Sequence, residues 1–442
     1  MHNQKPAIKS PATKVGKIGK RACFPLFILL AFTAPANAVD LKFTAPDGSA
    51  SDYFGRSVAL SNNTALIGSY RDDDNGTSSG SAYLFDTTTG SLLHKFNAPD
   101  GSTEDFFGFS VALSDNTALI GSHGDDDNVS GSGSAYLFDT TTGSLLHKFT
   151  APDGAAADLF GRSVALSNNT ALIGSYADDD NGWDSGSAYL FDTTTGNLLH
   201  KLTAPDGAAE DRFGWSVAIS NNTALIGSHA DDDKGTNSGS AYLFDTTTGN
   251  LLHKFTAPDG AAADNFGRSV AISNNTALIG SFGDDDKGGT SGSAYLFDTT
   301  TGNLLQKFTA PDGSPDDRFG ISVALSDNTA LVGSFFDDDN GTNSGSAYLF
   351  DTTTGNLLHK FTAPDGSAQD YFGDSVALSN NTALIGSWRD DDNGANSGSA
   401  YLFTTNTQPS PTPKSTPEPS SVLGIVGTFA IATLSRKKQQ KK

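Results

Sequence analysis

Aspartate triplets are the feature of this sequence best suited to chemistry, because seven of them recur at a constant interval of about 53 residues. Carboxylate oxygens are hard ligands, and carboxylate clusters that lack cysteine and have few histidines suit Ca²⁺. The first and third residues of each triplet are the candidate ligands, with one Ca²⁺ per repeat. They are Asp72, Asp74, Asp125, Asp127, Asp178, Asp180, Asp231, Asp233, Asp284, Asp286, Asp337, Asp339, Asp390 and Asp392. In the first copy, Asn75 or Asp52 could supply a further oxygen.

A second interpretation of the triplets needs no metal. Aspartate side chains commonly cap turns and accept hydrogen bonds from loop N–H groups, and surplus carboxylates form a solvated surface. Lys234 and Lys287 follow the triplet in two copies, where they would repel a nearby cation, and Val129 stands where other copies have glycine. Both interpretations stay open at the level of sequence.

Composition and charge exclude several classes of protein. The chain of 442 residues has 50 acidic and 28 basic side chains and a net charge of −22, so it repels nucleic-acid backbones. Abundant glycine and scarce helix formers disfavour helical bundles and α/β enzymes. The single cysteine, Cys23, lies in the predicted leader, which leaves the body without a disulfide or a thiolate metal site. The 29 phenylalanines and 11 tyrosines are enough to form a core.

The elements that position the triplets are short strands within a repeat. The repeat is marked by a Phe-Gly pair at Phe54, Phe107, Phe160, Phe213, Phe266, Phe319 and Phe372. The first copy contains four β-like runs, Ser57–Leu60, Ala65–Ser69, Ser81–Phe85 and Leu92–Phe96, each bounded by turn residues. Four strands in about 50 residues predict a propeller blade.

The offset of the repeats predicts how the ring closes. The body begins on a fourth-strand sequence, Leu41-Lys42-Phe43, and its last copy ends after a third strand. In a closed ring the first strand would complete the last blade, whereas an open solenoid would need capping repeats. We therefore predict an all-β fold, a seven-bladed β-propeller closed by its N-terminal strand. Its 2–3 loops and 4–1 crossovers share one face, which then carries 35 aspartates.

Other positions carry weaker signals. An aromatic or histidine residue begins each 2–3 loop, either as a wedge between blades or as a stacking surface for sugars: Tyr70, His123, Tyr176, His229, Phe282, Phe335 and Trp388. The residue after Phe-Gly varies most, so it either carries specificity or is unconstrained: Arg56, Phe109, Arg162, Trp215, Arg268, Ile321 and Asp374. His94 recurs at one strand-four position in most copies, unlike a catalytic histidine, and is interpreted as an outer-strand surface or packing residue.

The two ends of the chain read as targeting segments. Residues 1–38 have a basic region, an apolar run and a small-residue cleavage site, which predicts a secretory signal peptide. The propeller occupies residues 39–404, and a Pro/Ser/Thr-rich linker follows at 405–419. Residues 420–442 contain a short apolar stretch and a terminal basic cluster, which could also act as a simple membrane anchor.

Two resemblances to known families follow from these motifs. The C-terminal end, with Pro417-Glu418-Pro419 before the apolar and basic segments, resembles the PEP-CTERM sorting signal of Gram-negative bacteria. The repeats resemble the FG-GAP repeats of integrin α-subunit propellers through Phe54-Gly55, Ile67-Gly68-Ser69 and the strand that begins at Gly80. The first resemblance implies transient membrane docking, cleavage and delivery to the cell surface or extracellular matrix. With the alternative of a lasting anchor, the expected location is the cell surface, the outer membrane or the medium of a Gram-negative bacterium. The second implies an extracellular binding propeller. The integrin-type calcium loop is not carried over, because the connection between strands 1 and 2 is too short.

The expected function is that of an exported, non-enzymatic interaction protein of the adhesion type. It would bind an extracellular polysaccharide or surface protein at many points on the aspartate-rich face, with or without calcium. Sorting and processing machinery at the membrane would be a further partner. The alternatives are a glycan-active propeller enzyme or a purely structural matrix component. An enzyme would need an asymmetric site, and the residues that break the repeat are scattered: Glu104, Glu210, Trp183, Asp184, Trp215 and Asp374.

Overall fold

A computed structural model describes residues 40–405 apart from Asp115, Asn128 and Asn168, and the regular elements of this part of the chain are β-strands. In the described residues, twenty-eight strands form seven antiparallel sheets of four strands each. The signal peptide predicted at 1–38, the tail at 420–442 and nearly all of the linker lie outside the described residues. Within residues 40–405, no helix is long and apolar enough to cross a membrane.

Each sheet is one blade, and the blades are numbered 1 to 7 in chain order. Blade 1 is β2 (Phe54–Ser61), β3 (Thr64–Ser69), β4 (Ser81–Asp86) and β5 (Leu92–Phe96), and blade 2 is β6 (Ser110–Ser114), β7 (Thr117–Ser122), β8 (Ser134–Asp139) and β9 (Leu145–Phe149). Blade 3 is β10 (Ser163–Ser167), β11 (Thr170–Ser175), β12 (Ser187–Asp192) and β13 (Leu198–Leu202), and blade 4 is β14 (Ser216–Ser220), β15 (Thr223–Ser228), β16 (Ser240–Asp245) and β17 (Leu251–Phe255). Blade 5 is β18 (Phe266–Ser273), β19 (Thr276–Ser281), β20 (Ser293–Asp298) and β21 (Leu304–Phe308), and blade 6 is β22 (Val323–Ser326), β23 (Thr329–Ser334), β24 (Ser346–Asp351) and β25 (Leu357–Phe361). Blade 7 is β26 (Ser375–Ser379), β27 (Thr382–Ser387), β28 (Ser399–Thr404) and, from the other end of the propeller, β1 (Leu41–Phe43).

The predicted seam is confirmed by the pairing of β1 with β28. Leu41, Lys42 and Phe43 pair antiparallel with Leu402, Tyr401 and Ala400, respectively. Phe43 is buried, and its ring lies 4.9 Å from that of Phe85 in blade 1. The N-terminal strand therefore completes blade 7 and packs against the next blade.

The hydrophobic core lies between blades. Seven clusters of buried residues are described, and each joins the third and fourth strands of one blade to the second and third strands of the next. In the cluster at the seam, Leu384 and Leu402 of blade 7 pack with Ile67 and Tyr83 of blade 1. Because the same apolar face recurs in every copy, each blade buries its surface only when a neighbour is present.

A belt of hydrogen bonds joins the innermost strands. The serine that follows the variable position donates its hydroxyl to the carbonyl oxygen of the Phe-Gly glycine in the next blade, at 2.7 to 2.9 Å. The pairs are Ser57 to Gly108, Ser110 to Gly161, Ser163 to Gly214, Ser216 to Gly267, Ser269 to Gly320, Ser322 to Gly373 and Ser375 to Gly55. The last bond crosses the seam, so the belt is closed.

The glycines of the repeat permit this close approach between blades. A Cβ atom at Gly68 in β3 would overlap the carbonyl oxygen of Gly108 on the adjacent blade. Gly55 has a φ of +88°, a conformation that side chains rarely adopt, and its Cβ would overlap the carbonyl oxygen of Ser399. Glycine at these positions is therefore a packing requirement of the blade interface.

Candidate functional site

The carboxylates of the repeat lie on one face because crossovers and 2–3 loops are bonded to each other. The N–H of Glu104, in the crossover from blade 1 to blade 2, donates to the carbonyl oxygen of Thr77 in the 2–3 loop of blade 1 at 2.9 Å. The N–H groups of Phe106 and Phe107 donate to Ser78 and Ser79 of the same loop. We call the surface formed by the 2–3 loops and the crossovers the loop face, and the opposite surface the hairpin face.

A lysine ammonium lies at the centre of the carboxylates in blade 1. The Nζ atom of Lys95, on the outermost strand β5, is 2.7 Å from Asp47, 2.5 Å from Asp74 and 3.3 Å from Asp72. The hydroxyl of Tyr83 donates to Asp72 at 2.6 Å and also lies 2.9 Å from Asp47. Asp72 is nearly buried, whereas the side chains of Asp47 and Asp74 are about half exposed. The lysine therefore neutralises part of the charge of three carboxylates, which lie between the core and the solvent.

This carboxylate–lysine cluster is present in all seven blades. Each lysine pairs with the crossover aspartate and with the first and third aspartates of the triplet, and the seven lysines are Lys42, Lys95, Lys148, Lys201, Lys254, Lys307 and Lys360. The cluster of blade 7 takes its lysine, Lys42, from the N-terminal strand. The sheet, the core and the charge cluster thus all cross the seam.

The remaining acidic side chains cap the loop backbone. Asp73, the middle residue of the triplet, accepts a hydrogen bond from the N–H of Ser78 at 2.7 Å. Asp52 accepts one from the N–H of Ser49 at 2.6 Å. Asn75 donates instead to the carbonyl oxygen of Ala98. The two residues expected as additional oxygen donors, Asn75 and Asp52, are therefore engaged elsewhere, and the crossover carboxylate of Asp47 occupies the corresponding place.

The charges of the cluster shift its pKa values in opposite directions. Burial alone would lower the pKa of Lys95, but hydrogen bonds to Asp47 and Asp74 and the charge of Asp72 outweigh it, so the pKa is raised. Burial alone would raise the pKa of Asp47, but the hydrogen bonds from Lys95 and Tyr83 lower it overall. Both groups are thus held in their charged forms near neutral pH.

The crossover aspartate that is not in the cluster behaves differently. Burial raises the pKa of Asp52 to about 6, and the nearby charges of Asp72 and Asp73 add to the shift, while the hydrogen bond from Ser49 opposes it. The pKa values of Asp211, Asp317 and Asp370 are raised to about 6 for the same first reason. These carboxyls take up protons in a pH range where ordinary aspartates are ionised.

The residues assigned to calcium come together, but an ammonium is already among them. In three blades the carboxylate oxygens that a metal would use lie within 4.8 Å of one another, and these groups are Asp47, Asp72 and Asp74; Asp259, Asp284 and Asp286; and Asp365, Asp390 and Asp392. Three carboxylates are a suitable beginning for a Ca²⁺ site, which takes six to eight oxygens. A Ca²⁺ ion at this point would have to displace the lysine. Calcium binding stays a prediction, and the lysine is its competitor.

Lysine, tyrosine and the crossover aspartate are the cluster residues that sequence reasoning missed. Their signal was present in the repeat, since Lys95, Tyr83 and Asp47 have counterparts in all seven copies at fixed positions. Strand periodicity predicted the strands that carry Lys95 and Tyr83 but not that their polar ends reach the 2–3 loop. An opposite charge that recurs in register with a carboxylate motif was the usable indication.

A second set of residues meets in the central channel. The innermost strands of the seven blades line a cavity of about 250 Å³, and the variable residues after Phe-Gly contribute one side chain per blade, namely Arg56, Phe109, Arg162, Trp215, Arg268, Ile321 and Asp374. Arg56 pairs with Asp374 across the seam at 2.9 Å. The variable position therefore faces the channel, and specificity at this position stays a prediction.

The residues that begin the 2–3 loops surround the channel residues, and we call them the aromatic collar: Tyr70, His123, Tyr176, His229, Phe282, Phe335 and Trp388. The collar packs against the channel aromatics, with ring centroids 5.1 Å apart for Tyr70 and Phe109 and 4.4 Å apart for His229 and Trp215. Tyr53, just before a Phe-Gly pair, lies 4.7 Å from Trp388 of the preceding blade. These contacts support the wedge interpretation of the collar.

The residues that break the repeat are not gathered into one constellation. Trp183 is 63% exposed in a 2–3 loop, and its carbonyl oxygen accepts a hydrogen bond from the N–H of Glu210. Trp215 and Asp374 lie in the channel. Among the described residues that line the channel, Asp374 is the one carboxylate, and it is paired with Arg56. His94, on the outer strand, packs beside Phe96 and the turn glycine Gly143 of the next blade.

The comparison with protein families agrees with this architecture. The family described as FG-GAP repeat matches seven segments of the chain, residues 40–85, 91–138, 144–191, 197–244, 250–297, 303–350 and 356–403. A search of the curated proteins gave no match. Among solved structures, the computationally designed Ika8 protein is similar at 17% sequence identity with a TM-score of 0.48, over 81% of this chain and 98% of that one.

Proposed function

The chain belongs to the FG-GAP repeat family, and from this premise we propose that it is an exported, non-enzymatic interaction protein of the cell surface or extracellular matrix. Its partner is an extracellular polysaccharide or a surface protein, which it binds at several points on the loop face. A propeller of this family is compatible with an extracellular interaction role. The ligand, the export and the multivalency are parts of the proposal.

One observation carries the proposal: the loop face repeats the same exposed carboxylates in every blade. In blade 1 the side chains of Asp47 and Asp74 are 52% and 44% exposed, and Asp73 is also exposed. Only one lysine per blade enters the carboxylate–lysine cluster, so the carboxylates of the loop face far outnumber the ammonium groups within it. A surface of this kind attracts cationic or cation-bridged ligands and rejects polyanions.

The sevenfold repetition supports binding at many weak points. A repetitive partner such as a polysaccharide can engage several blades at once, and each later contact is then intramolecular. Avidity can exceed the affinity of a single blade by two to four orders of magnitude without any new contact. A flat, symmetric array suits this mode better than a single deep pocket.

Calcium dependence is a separable part of the proposal. Ca²⁺ could bridge exposed carboxylates such as Asp74 to a ligand while the lysine keeps its place. It could also enter the cluster in place of the lysine. Since the ammonium groups already neutralise the inner carboxylates, we expect the fold itself to be stable without metal.

Export rests on the sequence at the two ends of the chain. The basic and apolar pattern of residues 1–38 and the PEP-CTERM-like tail at 420–442 support delivery to the surface of a Gram-negative bacterium. Protease treatment of intact cells is the direct test. Degradation of the propeller by added protease is expected, and full protection in intact cells whose lysate is digested would contradict display at the cell surface.

The binding test uses the two faces of the propeller as matched surfaces. The full chain is screened on immobilised polysaccharides, and then a loop-face variant is compared, in which six exposed capping aspartates become asparagine: Asp73, Asp126, Asp179, Asp232, Asp285 and Asp338. The control removes the same six charges from the hairpin face, at Asp86, Asp139, Asp192, Asp245, Asp298 and Asp351. In both sets asparagine can still accept the loop hydrogen bonds.

Graded loss is the expected result. Loop-face variants with two, four and six substitutions should bind progressively less of the polysaccharide, while the hairpin-face control binds as the unmodified chain does. Equal loss in both sets would mean that net charge alone acts, and no loss in the loop-face set would contradict binding at this face.

A further inference from the structure

The central channel alternates arginines with aromatic rings. In blade order its variable residues run Arg, Phe, Arg, Trp, Arg, Ile and Asp. The guanidinium of Arg162 lies over Phe109 at 4.2 Å and over Trp215 at 4.5 Å, measured to the ring centroids. Arg268 lies over Trp215 at 4.7 Å from the other neighbouring blade. Two guanidinium groups thus flank one tryptophan inside the ring of blades.

Two of these arginines lack the carboxylate partners that every strand-four lysine has. Each strand-four lysine pairs with three carboxylates, and Arg56 pairs with Asp374. Among the described residues, no carboxylate lies within ion-pair distance of Arg162 or Arg268, in a chain with 50 acidic side chains. The channel is therefore a cationic site within a strongly acidic protein.

Stacking does not satisfy these guanidinium groups. An arginine that lies flat on an aromatic ring uses its face, and the five N–H donors in its plane still need acceptors. The indole N–H of Trp215, which can only donate, has no hydrogen-bond partner among the described residues either. Donors and cations without acceptors thus accumulate around one cavity.

The pKa shifts in the channel agree with this arrangement. Burial and, after it, the positive charge of Arg56 together lower the pKa of Arg268 to about 10, although the charge of Asp374 opposes the shift. Burial, followed by the charges of Arg268 and Arg56, also lowers the pKa of Arg162. An anion bound in the channel beside both guanidinium groups would relieve this unfavourable clustering of positive charge.

We propose that the central channel binds a small carboxylate, held by the guanidinium edges of Arg162 and Arg268. Carboxylates match the planar, forked donors of arginine. The cavity of about 250 Å³ is smaller than the roughly 300–1,000 Å³ of drug-sized pockets, which limits the ligand to about one sugar acid or a short organic acid.

The acidic surroundings of the channel also limit the ligand. A ligand that reaches the channel from the loop face passes exposed carboxylates, which repel a polyanion but only weakly oppose a single negative charge. The channel site is therefore distinct from the loop-face binding proposed above, and it can be present or absent independently of that binding.

Calorimetric titration of the full chain with galacturonate, at low ionic strength, tests this proposal. Galactose is the neutral control and acetate is the carboxylate without a sugar ring. Galacturonate is expected to bind, galactose not, and added salt should weaken the binding. Tighter binding of galacturonate than of acetate assigns the ligand to sugar acids, and equal binding assigns it to carboxylates in general.

Variants locate the site. R162Q/R268Q should weaken galacturonate binding by about tenfold or more, because each arginine supplies a charge-assisted hydrogen bond. K234Q/K287Q removes the same charge from the loop face and should bind galacturonate as the unmodified chain does. If the double arginine variant does not fold, galacturonate binding by the single variant R268Q is compared with binding by K287Q, and the same criterion applies. Equal binding of galactose and galacturonate, or unchanged binding in the arginine variants, overturns the proposal.

Discussion

At the scale of residues, the carboxylate–lysine cluster shows what a repeat sequence predicts and what it leaves out. The alternation within the triplet predicted that Asp72 and Asp74 face one point, and their carboxylates do meet at Lys95. The sequence did not predict that a lysine supplies the positive charge at that point. Lys95 lies on a strand, and the alternation of strand side chains indicates which side of the sheet a residue faces but not how far a long side chain extends. Flexible side chains decide such contacts after the backbone is fixed.

Replacement of the central lysine tests its role as a built-in cation. K95M leaves three carboxylates of blade 1 without their counter-ion, and we expect it to lower the free energy of unfolding by about 1–3 kcal/mol. Millimolar Ca²⁺ should then raise the melting temperature of K95M more than that of the unmodified chain, because the ion can take the place of the ammonium.

The control for this prediction is K234M. Lys234 lies on the same face but donates to the carbonyl oxygens of Ala257 and Pro258, so calcium should not act differently on this variant. Strong calcium binding by the unmodified chain, not improved in K95M, would show that the lysine does not compete.

The raised pKa values of the second crossover aspartates predict an unusual pH dependence. A carboxyl whose folded pKa lies near 6 and whose unfolded pKa lies near 3.9 stabilises the fold fully below the lower value, and this contribution is lost as the pH rises through 6. Asp52, Asp211, Asp317 and Asp370 act in this sense. The melting temperature should therefore rise from pH 7 to about pH 5.

Below about pH 4 the trend should reverse. The cluster aspartates of the Asp47 type have lowered pKa values, so their contribution is present above the unfolded value and is lost as they become protonated. Substitution of Asp52, Asp211, Asp317 and Asp370 by asparagine should reduce the rise between pH 7 and pH 5, while the equivalent Asp105, Asp158 and Asp264, whose pKa values burial also raises, keep part of it. A melting temperature that falls steadily from pH 7 would contradict this assignment.

At the scale of elements, the strands were predictable because turn chemistry and apolar runs agree in every copy. The Asn62-Asn63 hairpin formed as expected, with a φ of 50° at Asn62. The inward direction of the variable residues was not predictable, since their position in the ring depends on packing between blades. The 53-residue interval indicates that equivalent residues recur, but only the closed ring brings seven of them to one channel.

Close packing between blades predicts a large effect from one small change. G68A places a methyl group against the carbonyl oxygen of Gly108, which belongs to the backbone of the next blade and cannot rotate away. We expect a loss of at least about 3 kcal/mol in unfolding free energy. G289A is the control, because nothing lies within 4 Å of its added Cβ. Similar stability of the two variants in denaturant titrations would contradict the tight blade interface.

At the scale of the whole molecule, ring closure was the strongest inference from sequence. It followed from the offset between a fourth-strand start and a third-strand end, and the pairing of β1 with β28 confirmed it. The fold does not determine the function to the same extent as the sequence determined ring closure, since a propeller can present either binding or catalytic residues on the same scaffold. The acidic loop face and the cationic channel are therefore separate hypotheses with separate tests.

Closure makes a quantitative prediction about equivalent phenylalanines. Phe43 at the seam and Phe96 in blade 1 are both 2% exposed, and each lies 4.9 Å from a phenylalanine of the following blade. F43A and F96A should therefore lower the unfolding free energy by similar amounts, about 3–5 kcal/mol each. A much smaller effect of F43A would mean that the terminal strand is only loosely attached in solution.

The belt of serine hydroxyls and glycine carbonyls has a consequence for how such a chain can change its length. Every junction between neighbours uses the same donor and the same acceptor, and the junction that joins the two ends is no exception. A recombination event that adds or deletes one whole repeat unit would leave each remaining junction chemically matched, including the terminal one. Only the angle between neighbouring blades would have to change. The number of blades is therefore set by the range of angles at which the side chains between two blades can still pack.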